Sequence, residues 1–155
     1  MTAGVPPAAE GPAVGVAPAG TARAEMTTTW LGAAARVELT VTDADTAQTL
    51  GSGDVPVLGT PRVVALAEAA TVAATTTRLP PGTTTVGTRV ELQHKAATAV
   101  GRKVVAEARL SKADGKRLTF EVVVREGATV VAEGRVERVL VDRHRFVASA
   151  FGPAS

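Results

Sequence analysis

Cysteine does not occur in this sequence, which excludes disulfides, thiolate metal ligands and a cysteine nucleophile. The absence is compatible with a reducing cytoplasm, where the chain is expected to work. Tyrosine is absent too, and one Trp and three Phe are the whole aromatic complement. Few side chains are left to stack on unpaired bases. With 17 basic residues against 15 acidic ones, the net charge of +2 is too small for the basic face of a nucleic-acid binder, so no such partner is expected. No apolar run approaches the roughly 20 residues a membrane helix needs. The two histidines, His94 and His144, lie far apart, and no metal site is expected from them.

What is present fits one domain, since 155 residues can bury a core but not two substantial ones. Residues 1–28 open on an Ala/Pro/Gly-rich stretch, broken by Pro6, Pro7, Pro12 and Pro18. That composition predicts a disordered arm rather than a secretory signal, with the folded domain over residues 29–150.

Strand signals begin at Arg36–Thr42, where Val37, Leu39 and Val41 alternate with polar neighbours. Asp43–Gly59 has no sustained period and is expected to be a loop, with a short helical turn near Thr46–Leu50. Thr60-Pro61 is a helix start, threonine as the cap and proline at the first helical position. The helix should run from Pro61 to Thr75 and, being apolar on nearly all sides, should be enclosed by other structure.

Four strands then follow at Thr84–Lys95, Lys103–Ser111, Lys116–Arg125 and Thr129–Val141, separated by Val100-Gly101, Ala113-Asp114-Gly115 and Glu126-Gly127. Val104, Ala106, Ala108 and Leu110 share one face, as do Leu118, Phe120, Val122 and Val124. Asp142–Phe146 should leave the sheet. The expected class is α+β: an antiparallel sheet of about five strands wrapped around one central helix, the hot-dog arrangement.

Three residues stand out. Glu68 shares a helical stripe with Val64 and Val72 in a helix nearly devoid of charge, so it either performs chemistry or reaches solvent, or pairs with Arg62 or Arg89. His94 ends the alternating set Thr84, Val86, Thr88, Val90, Leu92 and should point inward, as a core histidine or a catalyst. Thr60 stabilises the helix start, whose free N–H groups could also polarise a thioester carbonyl. His144, between Arg143 and Arg145, reads as surface.

Taken together, Thr60, Glu68 and His94 resemble the active-site set of the bacterial fluoroacetyl-CoA thioesterases. The likeness extends to Gly59-Thr60 entering an Ala-rich helix, to Val86-Gly87-Thr88 ahead of His94, and to His94-Lys-Ala-Ala-Thr98 followed by Gly101. It covers roughly Val37 to Val141.

The resemblance implies a hot-dog homodimer that hydrolyses an acyl-CoA or acyl-carrier thioester. Its catalytic residues would be Thr60, Glu68 and His94, with Glu68 attacking the carbonyl or activating water. It implies no cofactor beyond the coenzyme A of the substrate. Gly59, Gly87 and Thr88 would line the substrate site, and basic side chains such as Arg102, Lys103, Arg143 and Arg145 could meet phosphates.

The family's fluoroacetyl selectivity is associated with phenylalanines in a lid before the threonine. Asp43–Leu58 contains none, so a broader or different acyl group is expected. Two other readings remain open on the same fold: a non-catalytic acyl-CoA-binding module, and a dehydratase or hydratase.

Overall fold

The computed structural model describes residues 25–152. The expected arm therefore lies outside the described residues except for 25–28, which form a helical turn. Thr27 in that turn is buried and donates its hydroxyl proton to the Gly115 carbonyl at 2.6 Å.

Five antiparallel strands form one sheet in the order β1-β3-β4-β5-β2. They are β1 (Ala34–Thr40), β2 (Thr83–His94), β3 (Lys103–Asp114), β4 (Arg117–Glu126) and β5 (Thr129–Asp142). Tight turns at Gly115 and Gly127 close the two hairpins, as the spacing predicts. The segment after β1 holds a 3-10 turn at Asp43–Asp45 and the short helix α1 (Ala47–Leu50), which is capped by the Thr46 side chain. Asp142 caps α3 (Arg143–Ala150), the helix into which the chain departs from the sheet.

The central helix α2 (Thr60–Thr75) lies in the concave face of the sheet. Its buried apolar positions Val63, Leu66, Ala67, Ala70 and Ala74 recur at helical spacing. They meet the two alternating faces read from β3 and β4, of which Val104, Ala106, Leu110, Phe120 and Val124 are fully buried. Three of the five helix positions are alanine, and this small side chain lets the helix lie close to the strands. The expectation of full enclosure needs correction. Ala65, Ala69, Val72 and Ala73 face solvent in the single chain, because one sheet covers only one side of a helix. Among the described residues no helix is long and apolar enough to cross a membrane.

A second correction concerns β2. The β2–β5 register slips between Gly87 and Arg89, leaving Thr88 as the extra residue of a bulge. A one-residue slip exchanges the faces. Thr85 and Gly87 therefore share the concave side with Val90, Leu92 and His94, while Thr84, Val86 and Thr88 do not.

Candidate active site

The start of α2 differs from the sequence expectation in a way that matters for chemistry. Gly59 is the N-cap, Thr60 is the first helical residue, and no side chain caps the helix. The Thr60 hydroxyl is thereby free to reach across to β2, where Oγ1 lies 2.8 Å from His94 Nδ1 in a hydrogen bond whose donor is set by the imidazole tautomer. The other ring nitrogen, Nε2, is buried with no hydrogen-bond partner. An orphaned buried ring nitrogen is costly unless a ligand or reacting group completes it.

Two turns further along the same helix lies a second polar pair. Arg138 on β5 donates from Nη1 to Glu68 Oε2 at 3.2 Å, and from Nε and Nη2 to the hydroxyl and carbonyl of Thr85 at 2.9 and 3.0 Å. The Arg138 side chain is only 8% exposed, whereas Glu68 keeps 35% exposure, so the carboxylate is held from behind and open in front. Burial pushes the Arg138 guanidinium below its ordinary range, and the Glu68 charge opposes that shift. The partner of Glu68 is thus neither Arg62 nor Arg89: Arg62 pairs with Asp45 and Arg89 with Glu91.

Gly87 completes this second cluster. A Cβ at that position would fall 2.2 Å from Glu68 Oε2, a distance no methyl group can occupy, so the carboxylate uses the space that glycine leaves. Gly59 is constrained in a similar way, with a Cβ there falling 3.0 Å from the backbone of Ala47.

A cleft of about 330 Å³ opens over Thr60 and His94, between the 52–59 segment and residues 94–97. Its walls include Ala47, Val55, Val57 and Leu58 and carry no Phe, Tyr or Trp. Other expected substrate contacts lie elsewhere. Thr88 is exposed and donates to the Glu137 carbonyl at 3.3 Å, while Arg102 and Lys103 pair with Glu126 and Glu38 at the sheet rim. Arg143 and Arg145 are exposed on α3.

The segment leading into Thr60 is itself anchored. Asp45 Oδ2 accepts from the Thr42 amide and hydroxyl at 2.7 and 2.9 Å, and Oδ1 accepts from Arg62 Nε at 3.1 Å. Burial alone would raise this carboxyl, but the Thr42 and Arg62 bonds outweigh it and hold Asp45 below the usual carboxylate range.

Residues 41–144 match the family model described as fluoroacetyl-CoA-specific thioesterase. The chain belongs to that family. A curated fluoroacetyl-CoA thioesterase from Streptantibioticus cattleyicolor is 34% identical over 90 residues, which span 58% of this chain and 65% of that relative's length. The solved structure of the fluoroacetyl-CoA thioesterase FlK superposes with a TM-score of 0.74 at 27% identity, covering 81% of this chain and 97% of that one. A hot-dog-like protein from Thermanaerovibrio acidaminovorans is 22% identical with a TM-score of 0.71, covering 80% of this chain and 94% of that one, and shares the fold.

The family match encloses both polar pairs and the anchored segment. Two of these residues, Arg138 and Asp45, are absent from the sequence reading. Arg138 left a signal, a single cation between Val136 and Leu140 on the buried face of β5. Asp45 left none, since an aspartate in a Thr/Asp/Gly-rich loop is ordinary turn chemistry.

Proposed function

We propose that this chain hydrolyses the thioester of a short acyl-coenzyme A, or of an acyl-carrier conjugate, to the free acid and thiol. Family membership and the curated relative's name support the reaction class. The observation that carries the mechanism is the pair of half-sites on one helix: Thr60 bonded to His94 at the helix start, and Glu68 seated on Gly87 and Arg138 further along.

In this reading Glu68 Oε2 is held by Arg138, and the carboxylate either attacks the thioester carbonyl, expelling the thiolate and leaving a mixed anhydride that water then hydrolyses, or takes a proton from a water that itself attacks the carbonyl. The proton needed by the departing thiolate comes through the imidazole that Thr60 orients. Coenzyme A enters as part of the substrate, and no further cofactor takes part. The Arg138 charge, desolvated behind the carboxylate, would also favour negative charge developing on the substrate oxygen.

The half-sites stand on residues eight apart in one helix, about 12 Å along its axis, and their side chains bond to different partners, His94 to Thr60 and Glu68 to Arg138. β2 pairs with β5 on one side only, and its other edge is free in the single chain. We infer that two copies join along this edge about a twofold axis. Antiparallel pairing of β2 with itself brings the Gly87 end of one strand toward the His94 end of the other, so each working site takes Glu68 from one subunit and the Thr60–His94 pair from its partner.

Because the cleft wall carries no phenylalanine, the acyl group should not be restricted to fluoroacetyl. The test is thiol release from a panel of short acyl-CoAs. The protein has no cysteine, so a thiol reagent reports released coenzyme A with no background from the enzyme. Glu68→Gln should lose at least about a hundredfold in rate while remaining folded. An unchanged rate in that variant would remove the mechanism. Ligand-dependent melting shifts with no turnover would instead favour a binding module.

A further inference from the structure

We infer that Asp45, through Arg62, is a positioning residue that locks the entrance segment onto the start of α2 and so holds Thr60 in register with His94. The inference rests on the reading above only for its kinetic consequence; its structural claim stands separately.

The N-terminus of α2 has no side-chain cap, so something else must fix its first residue. Asp45 holds it from both sides of Thr60. Its backbone carbonyl accepts from the Gly59 amide at 2.9 Å, and its carboxylate accepts from Arg62. The same carboxylate gathers the Thr42 amide and hydroxyl at the end of β1, so one side chain joins the sheet, the loop and the helix. Asp45 is 8% exposed, and its charge is therefore desolvated and strongly directional.

The loop is also pinned farther on, where the Leu58 amide donates to the Thr98 carbonyl at 2.9 Å. Thr98 follows His94 closely in the chain. The segment entering Thr60 and the segment leaving His94 are thus tied to each other, and Asp45 ties both to the helix. Hydrogen bonds of this kind hold a hydroxyl and an imidazole within bonding distance, a geometry lost with a shift of about 1 Å.

The experiment uses the full chain with labelled histidine. His94 and His144 are the only two, and exposed His144 on α3 serves as the internal reference. Thr60→Val defines the imidazole nitrogen resonances of His94 without its hydroxyl partner. In Asp45→Ala the His94 signals should move toward those of Thr60→Val while His144 stays in place, and kcat for thiol release should fall at least about tenfold. Asp45→Asn, which keeps the shape and loses the charge, should fall between Asp45→Ala and the parent protein.

Unchanged His94 resonances in Asp45→Ala would overturn the inference, as would a Thr60→Val spectrum identical to the parent. If Asp45→Ala does not fold, Asp45→Asn and Arg62→Met are read by the same criterion, and unshifted His94 signals in both would overturn it. A parent protein that releases no thiol from any acyl-CoA would end the proposed function, and the spectra alone would then decide on the lock.

Discussion

Replacing Gly87 with alanine separates the demands of chemistry from those of folding. The added methyl would sit 2.2 Å from Glu68 Oε2 and 3.3 Å from Arg138 Nη1. Relief of that overlap requires roughly 1 Å of movement to restore ordinary van der Waals contact. The strand backbone is not the part that yields, because it is held on β5, whereas the glutamate is the far end of a flexible side chain. Gly87 is not among the glycines with positive φ, so alanine fits the local backbone. It also stiffens the unfolded chain, which offsets lost contacts by about 0.4–1 kcal/mol.

The melting temperature of Gly87→Ala should therefore stay near that of the parent protein. A nucleophile or base displaced by about 1 Å costs on the order of a hundredfold in rate. The assay is kcat and KM for thiol release alongside a thermal melt of the same preparation. Parental kcat in a folded Gly87→Ala enzyme would refute the claim that Glu68 works from the space glycine leaves.

Arg138→Met strands Glu68 and the Thr85 carbonyl and should lower the urea-derived stability by about 2–4 kcal/mol, whereas Arg135→Met, on the exposed side of the same strand, should change it by less than about 0.5 kcal/mol. Leu66→Ala, which opens a cavity under the central helix, should cost about 2–5 kcal/mol by the same measurement. Asp45 carries a pH signature. Its folded carboxyl is held below the ordinary value, so the stability it adds is fully present above about pH 4 and is lost as pH falls through the folded value. The stability gap between the parent protein and Asp45→Asn, measured in urea, should thus be widest near neutrality and narrow below about pH 4; a gap independent of pH would contradict the assignment.

Much of this architecture was legible because it depends on period. The alternation through Val104–Leu110 and Leu118–Val124 places the inward side chains of those two runs, and the short helical turn near Thr46–Leu50 and the departure at Asp142 both follow from local turn chemistry. What escaped depends on register or on distant pairing. The bulge at Thr88 changes no composition, yet it moves Gly87 and Thr85 to the concave face and takes Thr88 off it. Threonine and glycine both cap helices, so Thr60 looked like a cap until His94 was seen to occupy its hydroxyl. For Glu68 the sequence leaves chemistry, solvent, or pairing with Arg62 or Arg89 as alternatives, and the arginine that reaches it is seventy residues away on β5. Pairing between a helix and a distant strand is settled by how the helix packs on the sheet, which no local pattern encodes.

Subunit complementation bears most directly on the composite site. Glu68→Gln and His94→Ala should each be nearly inactive alone. Unfolded together in equal amounts and refolded, they should form mixed dimers in half of the population, each with one intact site, and recover roughly a quarter of the parental activity. Mixed dimers that form but show no activity above the two parents would contradict a site shared between subunits.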